Sequence, residues 1–180
     1  MPEIHKKLKT DRVLISKARI QARVKQMARK ISADYRGNDP VLVGVLRGSF
    51  VFMADLLREI SIPVEVDFIA VASYGNGTRS GGVVRLNQDL SSAITGRHVI
   101  LVEDIVDSGL TLSYLLKNLK TRRPASIEVC TLLDKEDRRK IKVPVKYKGF
   151  KIPDKFVVGY GLDHKQRYRN LPYVSWIEEE

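Results

Sequence analysis

Short apolar runs alternate along the chain with stretches that are apolar only every third or fourth residue, and polar turns separate the two kinds. The runs Val41–Leu46, Val64–Ala72, Val99–Val102, Ser126–Leu133, Phe156–Tyr160 and Tyr173–Ile177 are rich in β-branched residues and short enough to be strands, several of them buried on both faces. Between them, Ser16 is placed to cap a helix running to about Tyr35, with Ile20, Val24, Met27 and Ile31 on one face. The segments FVFMADLLREI (50–60) and LSYLLKNLK (112–120) predict two more helices. Gly37-Asn38-Asp39-Pro40 breaks the chain after the first helix, and Arg47-Gly48-Ser49 turns the first long strand into the second helix. Strands alternating with helices predict an α/β fold with a mostly parallel central sheet flanked by helices. The N-terminal helix and the C-terminal strands are expected to form a small cap on it. No repeat, low-complexity tract or internal boundary is evident, so one domain over 1–180 is expected.

The segment 73–82, SYGNGTRSGG, holds four glycines in ten residues. Such a stretch cannot pack a core, and its position between strands predicts a mobile active-site lid.

Composition narrows the class. A hydrophobic content of 43% supports a core, and a charged content of 29% fits a folded chain. The single Cys130 lies in the apolar run IEVCTLL, which predicts a buried, inert thiol and a reducing compartment, hence the cytoplasm. No apolar run reaches the roughly 18 residues of a spanning helix, and MPEIHKKLKTDR lacks the apolar stretch of a signal peptide. The net charge of +11 suits a polyanionic small substrate and equally a nucleic-acid surface. The basic residues are scattered, however, and runs such as KEDRRK (135–140) are expected to be solvated surface.

The most chemically informative stretch is His98–Thr111, HVILVEDIVDSGLT. An apolar strand is expected to end at Val102, where Glu103 and Asp104 place two carboxylates. Asp107-Ser108-Gly109-Leu110-Thr111 then leads into a helix. Turn N–H groups and the helix dipole make an anion cradle, to which Ser108 and Thr111 can add hydroxyls. Two carboxylates beside a phosphate site imply a sugar phosphate with a free diol, held with Mg²⁺. His5 and His98 have no metal-ligand spacing, and no GxxxxGK[ST] string exists.

A set of motifs in fixed order resembles the hypoxanthine-guanine phosphoribosyltransferases of the short bacterial kind. They are LRGS at 46–49, SYG at 73–75, VILVEDIVDSGLT at 99–111, LLDK at 132–135 and IPDKFVVGYGLD at 152–163, and the likeness extends from about Val13 to Trp176. It implies the type I phosphoribosyltransferase fold, with a hood from the N- and C-terminal segments. It also implies transfer of phosphoribosyl from phosphoribosyl pyrophosphate to hypoxanthine or guanine, giving IMP or GMP and pyrophosphate, with Mg²⁺. By the same resemblance Asp107 is the general base facing purine N7, and Glu103 and Asp104 serve the ribose. Asp107, Ser108, Gly109, Leu110 and Thr111 cradle the 5′-phosphate, although some relatives carry lysine where Leu110 stands. Arg47 and Gly48 grip the pyrophosphate, with the Leu46–Arg47 peptide often cis, and Ser73 and Tyr74 belong to the substrate edge. Lys135 donates to the 6-oxo group, Phe156 stacks on the purine, and the Val157 backbone meets its 2-position edge. Asp163 joins Glu103 and Asp104 in holding metal, and Arg169 is a second pyrophosphate contact. His164 replaces a common aromatic residue and is expected to be structural.

The resemblance further implies a homodimer or homotetramer, with the first helix's apolar face and the helix containing Phe50, Phe52 and Met53 as candidate interfaces. Two rivals share the fold: a xanthine-preferring relative and an RNA-binding attenuator. The attenuator type lacks an aspartate at the place of Asp107 and lacks the 152–163 element, so an enzyme is expected.

Overall fold

The computed structural model describes residues 12–74 and 83–177. In chain order these form β1 (Val13–Ile15), α1 (Lys17–Asp34), β2 (Val41–Leu46), α2 (Phe50–Glu59), β3 (Glu65–Tyr74), β4 (Val83–Gln88), β5 (His98–Val106), α3 (Leu110–Lys120), β6 (Ser126–Asp134), a 3₁₀ turn (Glu136–Arg138), β7 (Tyr147–Lys151), β8 (Phe156–Val158) and β9 (Val174–Ile177). Of the lid expected over 73–82, Ser73 and Tyr74 instead end β3, and 75–82 lie outside the described residues.

A six-stranded sheet runs in the order β4-β3-β2-β5-β6-β7. All its pairs are parallel except β3 with the edge strand β4. Strand alternation sends Val41, Val43 and Val45 to one face, where Leu112, Leu115 and Leu119 of α3 cover them. Leu42 goes to the other, under Ile20, Val24 and Met27 of α1 and Phe52 and Leu56 of α2. Covered on both faces, these central strands have no need of polar positions, which is why they read as unbroken apolar runs.

Ser16 caps α1 as expected, its Oγ accepting from the Arg19 N–H at 3.4 Å. The apolar face of α1 is core, as are Phe52 and Met53; of the candidate interface residues on α2, Phe50 is exposed, at 45%. Cys130 is buried, and burial pushes its thiol up. Among the described residues no helix is long and apolar enough to cross a membrane.

Three expectations change. First, β5 does not stop at Val102 but continues to Val106, with Glu103 paired to Thr131 and Ile105 to Leu133 in the β6 ladder. Glu103 and Asp104 interrupt the apolar run, so the last four residues of the strand carry no continuous apolar signature. Second, the hood is a small antiparallel sheet, β1-β9-β8, so the N-terminal contribution is a strand and α1 lies on the main sheet. Third, β8 ends at Val158, because Gly159, Tyr160 and Gly161 take positive φ of 96°, 51° and 101° in succession and turn the chain.

Candidate active site

Parallel strands that end together leave a crevice at their carboxyl edge, where α/β sheets commonly bind ligands. Here the hood roofs that edge and encloses a cavity of about 340 Å³. The floor supplies Arg47 and Gly48 after β2, Asp104, Ile105 and Asp107 at the end of β5, and Lys135 after β6. Phe156, Val157, Leu162, Asp163 and Arg169 come from the hood. The Leu46–Arg47 peptide is cis, as the resemblance implies.

Asp104 accepts the Ile105 N–H on Oδ1 at 2.9 Å. Burial pushes its carboxyl up to about 6; the Ile105 N–H and Arg169 oppose the shift, and Asp163 adds to it. Glu103 is a strand neighbour and therefore faces the other way. It is buried and is not part of the cavity wall. Burial first, and the Asp104 charge second, hold it well above the ordinary carboxylate range. The expected trio Glu103, Asp104 and Asp163 thus does not come together. Among the described residues no group of three or more His, Cys, Asp or Glu side chains could hold a metal unaided.

The turn after β5 leads directly into α3. Gly109 has φ 82°, and a Cβ there would lie 2.5 Å from the Ile141 carbonyl oxygen. Only glycine fits that conformation at that distance. The Ser108 carbonyl accepts from the Lys140 and Ile141 N–H groups at 2.9 and 3.1 Å, and Ser108 Oγ accepts the Leu110 N–H at 3.4 Å. Ser108 to Thr111 therefore lie at the start of α3, beside the cavity that Asp107 lines.

Asp107 lies between two cations, with Arg138 Nε 3.1 Å from Oδ1 and Lys135 Nζ 3.8 Å from Oδ2. Lys135, whose side chain is only 9% exposed, also lies 3.7 Å from Asp154. In the hood Phe156 meets His164 edge-on at 5.5 Å, so His164 supports the ring expected to stack on the base. Arg169 is held by Asp163 at 2.7 Å, the Gly161 carbonyl at 2.6 Å and Gln166 Oε1 at 3.2 Å. The same Gln166 oxygen accepts from Arg47 Nη1 at 3.1 Å. Gln166 thus ties together the two arginines assigned to pyrophosphate; it belongs to no motif, and no sequence signal marks it. Ser73 and Tyr74 close β3, their backbones paired with Val84 and Val83 of β4.

The family model for the phosphoribosyl transferase domain matches residues 11–165. The hypoxanthine phosphoribosyltransferase of Salmonella typhimurium strain LT2 is 52% identical over 170 residues, covering 93% of this chain and 96% of that protein. The chain belongs to the hypoxanthine-guanine phosphoribosyltransferases. Solved structures agree. The hypoxanthine-guanine phosphoribosyltransferase of Bacillus anthracis superposes with a TM-score of 0.90 at 46% identity, over 96% of this chain and all of that one (100%). A variant of the Trypanosoma cruzi hypoxanthine phosphoribosyltransferase, in a ternary complex with substrates, gives 0.87 at 43% identity over 93% of this chain and 95% of its own. The chain is therefore an enzyme of purine salvage. The hood over a mostly parallel sheet is the fold of its family.

Proposed function

We propose that the enzyme moves the 5-phosphoribosyl group from phosphoribosyl pyrophosphate to N9 of hypoxanthine or guanine, releasing pyrophosphate and forming IMP or GMP. The observation that carries this reading is the convergence of Asp107, Lys135, Phe156 and Val157 on one cavity whose floor continues into the Ser108–Thr111 turn. A planar base fits between Phe156 and the floor, with its 6-oxo group on Lys135 and its 2-position edge on the Val157 backbone. The 5′-phosphate sits on the N–H groups that open α3.

As the C1–pyrophosphate bond breaks, positive charge develops on the ribose, and the Asp104 carboxylate offsets it while accepting from the ring hydroxyls. Glu103 is left out of this contact set. Asp107 accepts the proton from N7 as N9 bonds to C1. Arg47, Gly48 and Arg169 receive the departing pyrophosphate, with Ser73 and Tyr74 at the same edge.

Asp104 and Asp163 offer hard oxygen donors on one cavity, which suits Mg²⁺, an ion that takes one or two carboxylates and completes its shell with substrate oxygens and water. When bound there, Mg²⁺ supplies charge neutralisation for the pyrophosphate leaving group. The chain acts as one phosphoribosyltransferase domain over 1–180. It works in the cytoplasm, consistent with its single free thiol. It assembles as a homodimer or homotetramer, which sedimentation tests.

The test is incubation with phosphoribosyl pyrophosphate, Mg²⁺ and each of hypoxanthine, guanine, xanthine and adenine. Turnover on the first two should far exceed the others. A preference for xanthine would reassign the base, and no nucleotide at all with salt-sensitive RNA binding would favour a regulator.

A further inference from the structure

Arg138 and Asp154 stand outside the cavity wall, in runs of charge that look like ordinary surface, yet they complete a closed figure with two residues inside it. Arg138 Nε lies 3.1 Å from Asp107, and its Nη1 donates to Asp154 Oδ1 at 3.0 Å. Lys135 Nζ lies 3.8 Å from Asp107 and 3.7 Å from Asp154. The four charges alternate around a ring. We propose that Arg138 and Asp154 are positioning residues that aim Asp107 and Lys135 at the purine, a proposal that rests on the reading of Asp107 as the base.

Three segments supply the ring: the end of β5, the 3₁₀ turn after β6, and the stretch between β7 and β8. Backbone hydrogen bonds fix them together. Lys135 N donates to the Val106 carbonyl at 2.9 Å, Lys140 N to Ser108 at 2.9 Å, and Ile152 N to Asp134 at 3.0 Å. The ring is therefore framed by the same turn that would hold the phosphate.

Exposed ion pairs do little for stability, and Arg138 and Asp154 are 46% and 52% exposed. Their value lies in what they hold. Lys135 is a buried cation, and a buried charge needs partners if it is to stay in place. Asp154 supplies one that the purine does not use. Asp107 presents the complementary case. Its Oδ1 is buried and accepts no hydrogen bond, and the Lys135 contact is too long to be one. Arg138 thus holds the buried Oδ1, and Oδ2, 3.8 Å from Lys135, is left to receive the proton. Arginine suits the post because its fork reaches both carboxylates, through Nε and through Nη1, where lysine offers a single point.

Steady-state kinetics of Arg138→Gln, Arg138→Lys and Asp154→Asn, with Asp107→Asn alongside, test the proposal; the KM values for hypoxanthine and phosphoribosyl pyrophosphate are measured separately. Arg138→Gln should lower kcat about tenfold, in keeping with the cost of a misaimed reacting group. Asp154→Asn should raise the hypoxanthine KM several-fold, and Arg138→Lys should restore only part of the loss. In all three the phosphoribosyl pyrophosphate KM and the melting midpoint should hold. Wild-type kcat and hypoxanthine KM in Arg138→Gln and Asp154→Asn, with Asp107→Asn inactive, would overturn the ring and spare the base. A loss that comes with a lowered midpoint and an equal rise in both KM values would also overturn it, since that marks a merely structural pair. An active Asp107→Asn would instead remove the base reading underneath.

Discussion

Asp104 Oδ2 and Gly48 stand so close that a Cβ on Gly48 would lie 1.6 Å from that oxygen. The contact follows from topology, since β2 and β5 are parallel neighbours whose carboxyl ends share one edge of the sheet. The residue meant to face pyrophosphate and the carboxylate meant to face ribose are thereby locked in one arrangement.

Gly48→Ala should force Asp104 out of place. A displacement of this size beside reacting atoms costs about a hundredfold, so kcat/KM should fall by about that factor. The folded core does not depend on this contact, and circular dichroism should show an intact protein. Wild-type kinetics for the alanine variant would mean that Asp104 is not needed where it stands.

In the proposed reading Lys135 carries the choice of base. Removing a charged donor to the 6-oxo group costs about 1.5–3 kcal/mol, so Lys135→Gln should lower kcat/KM for hypoxanthine about 10- to 150-fold. Adenine, which offers no 6-oxo acceptor, should lose less. A competition assay on the two bases reads this ratio directly, and equal losses on both would assign Lys135 a packing role.

Phe156 is 36% exposed and projects from the three-residue strand β8, so its truncation should scarcely affect folding. Stacking of a base on an aromatic ring contributes about 1–3 kcal/mol. Phe156→Ala should therefore raise the hypoxanthine KM at least about fivefold while the melting midpoint stays put. Titration calorimetry with nucleotide product gives an independent check.

The central strands were legible because burial on both faces leaves a continuous apolar signature, as in Val41–Leu46, whose bounds match expectation. Edge strands carry no such mark. β7 reads YKGFK, and its lysines hide a strand whose Tyr147 is buried and donates to Asp34 at 2.8 Å. The last four residues of β5, a central strand, were obscured because Glu103 and Asp104 break its apolar run. In the site, residue chemistry alone spoke only at His98–Thr111; LRGS, LLDK and IPDKFVVGYGLD took their roles from the resemblance, and pairings across the fold could not be read at all. Arg138 and Asp154 are 16 residues apart in a charged stretch, and only folding shows that they meet. Nor does spacing alone say that adjacent carboxylates on a strand face opposite ways; that required knowing that the strand continues.

Cys130 provides a check on the core. Burial raises its thiol above the ordinary value, so the folded protein keeps the group neutral where an unfolded chain would ionise it. The associated stability is fully present below the unfolded thiol's pKa, about 8.5, and is lost as pH rises above it. Iodoacetamide at pH 8.5 should leave the native protein unlabelled by mass spectrometry and modify Cys130 once denaturant is added. Rapid native labelling would contradict the burial.

The most direct test of the account is kcat for IMP formation by Asp107→Asn, measured with saturating phosphoribosyl pyrophosphate, hypoxanthine and Mg²⁺. Loss of a general base costs about 10²–10⁴-fold, and that fall is expected with both substrates still binding. A kcat equal to that of the unmodified enzyme would contradict the assignment of Asp107 as the group that takes the purine's proton.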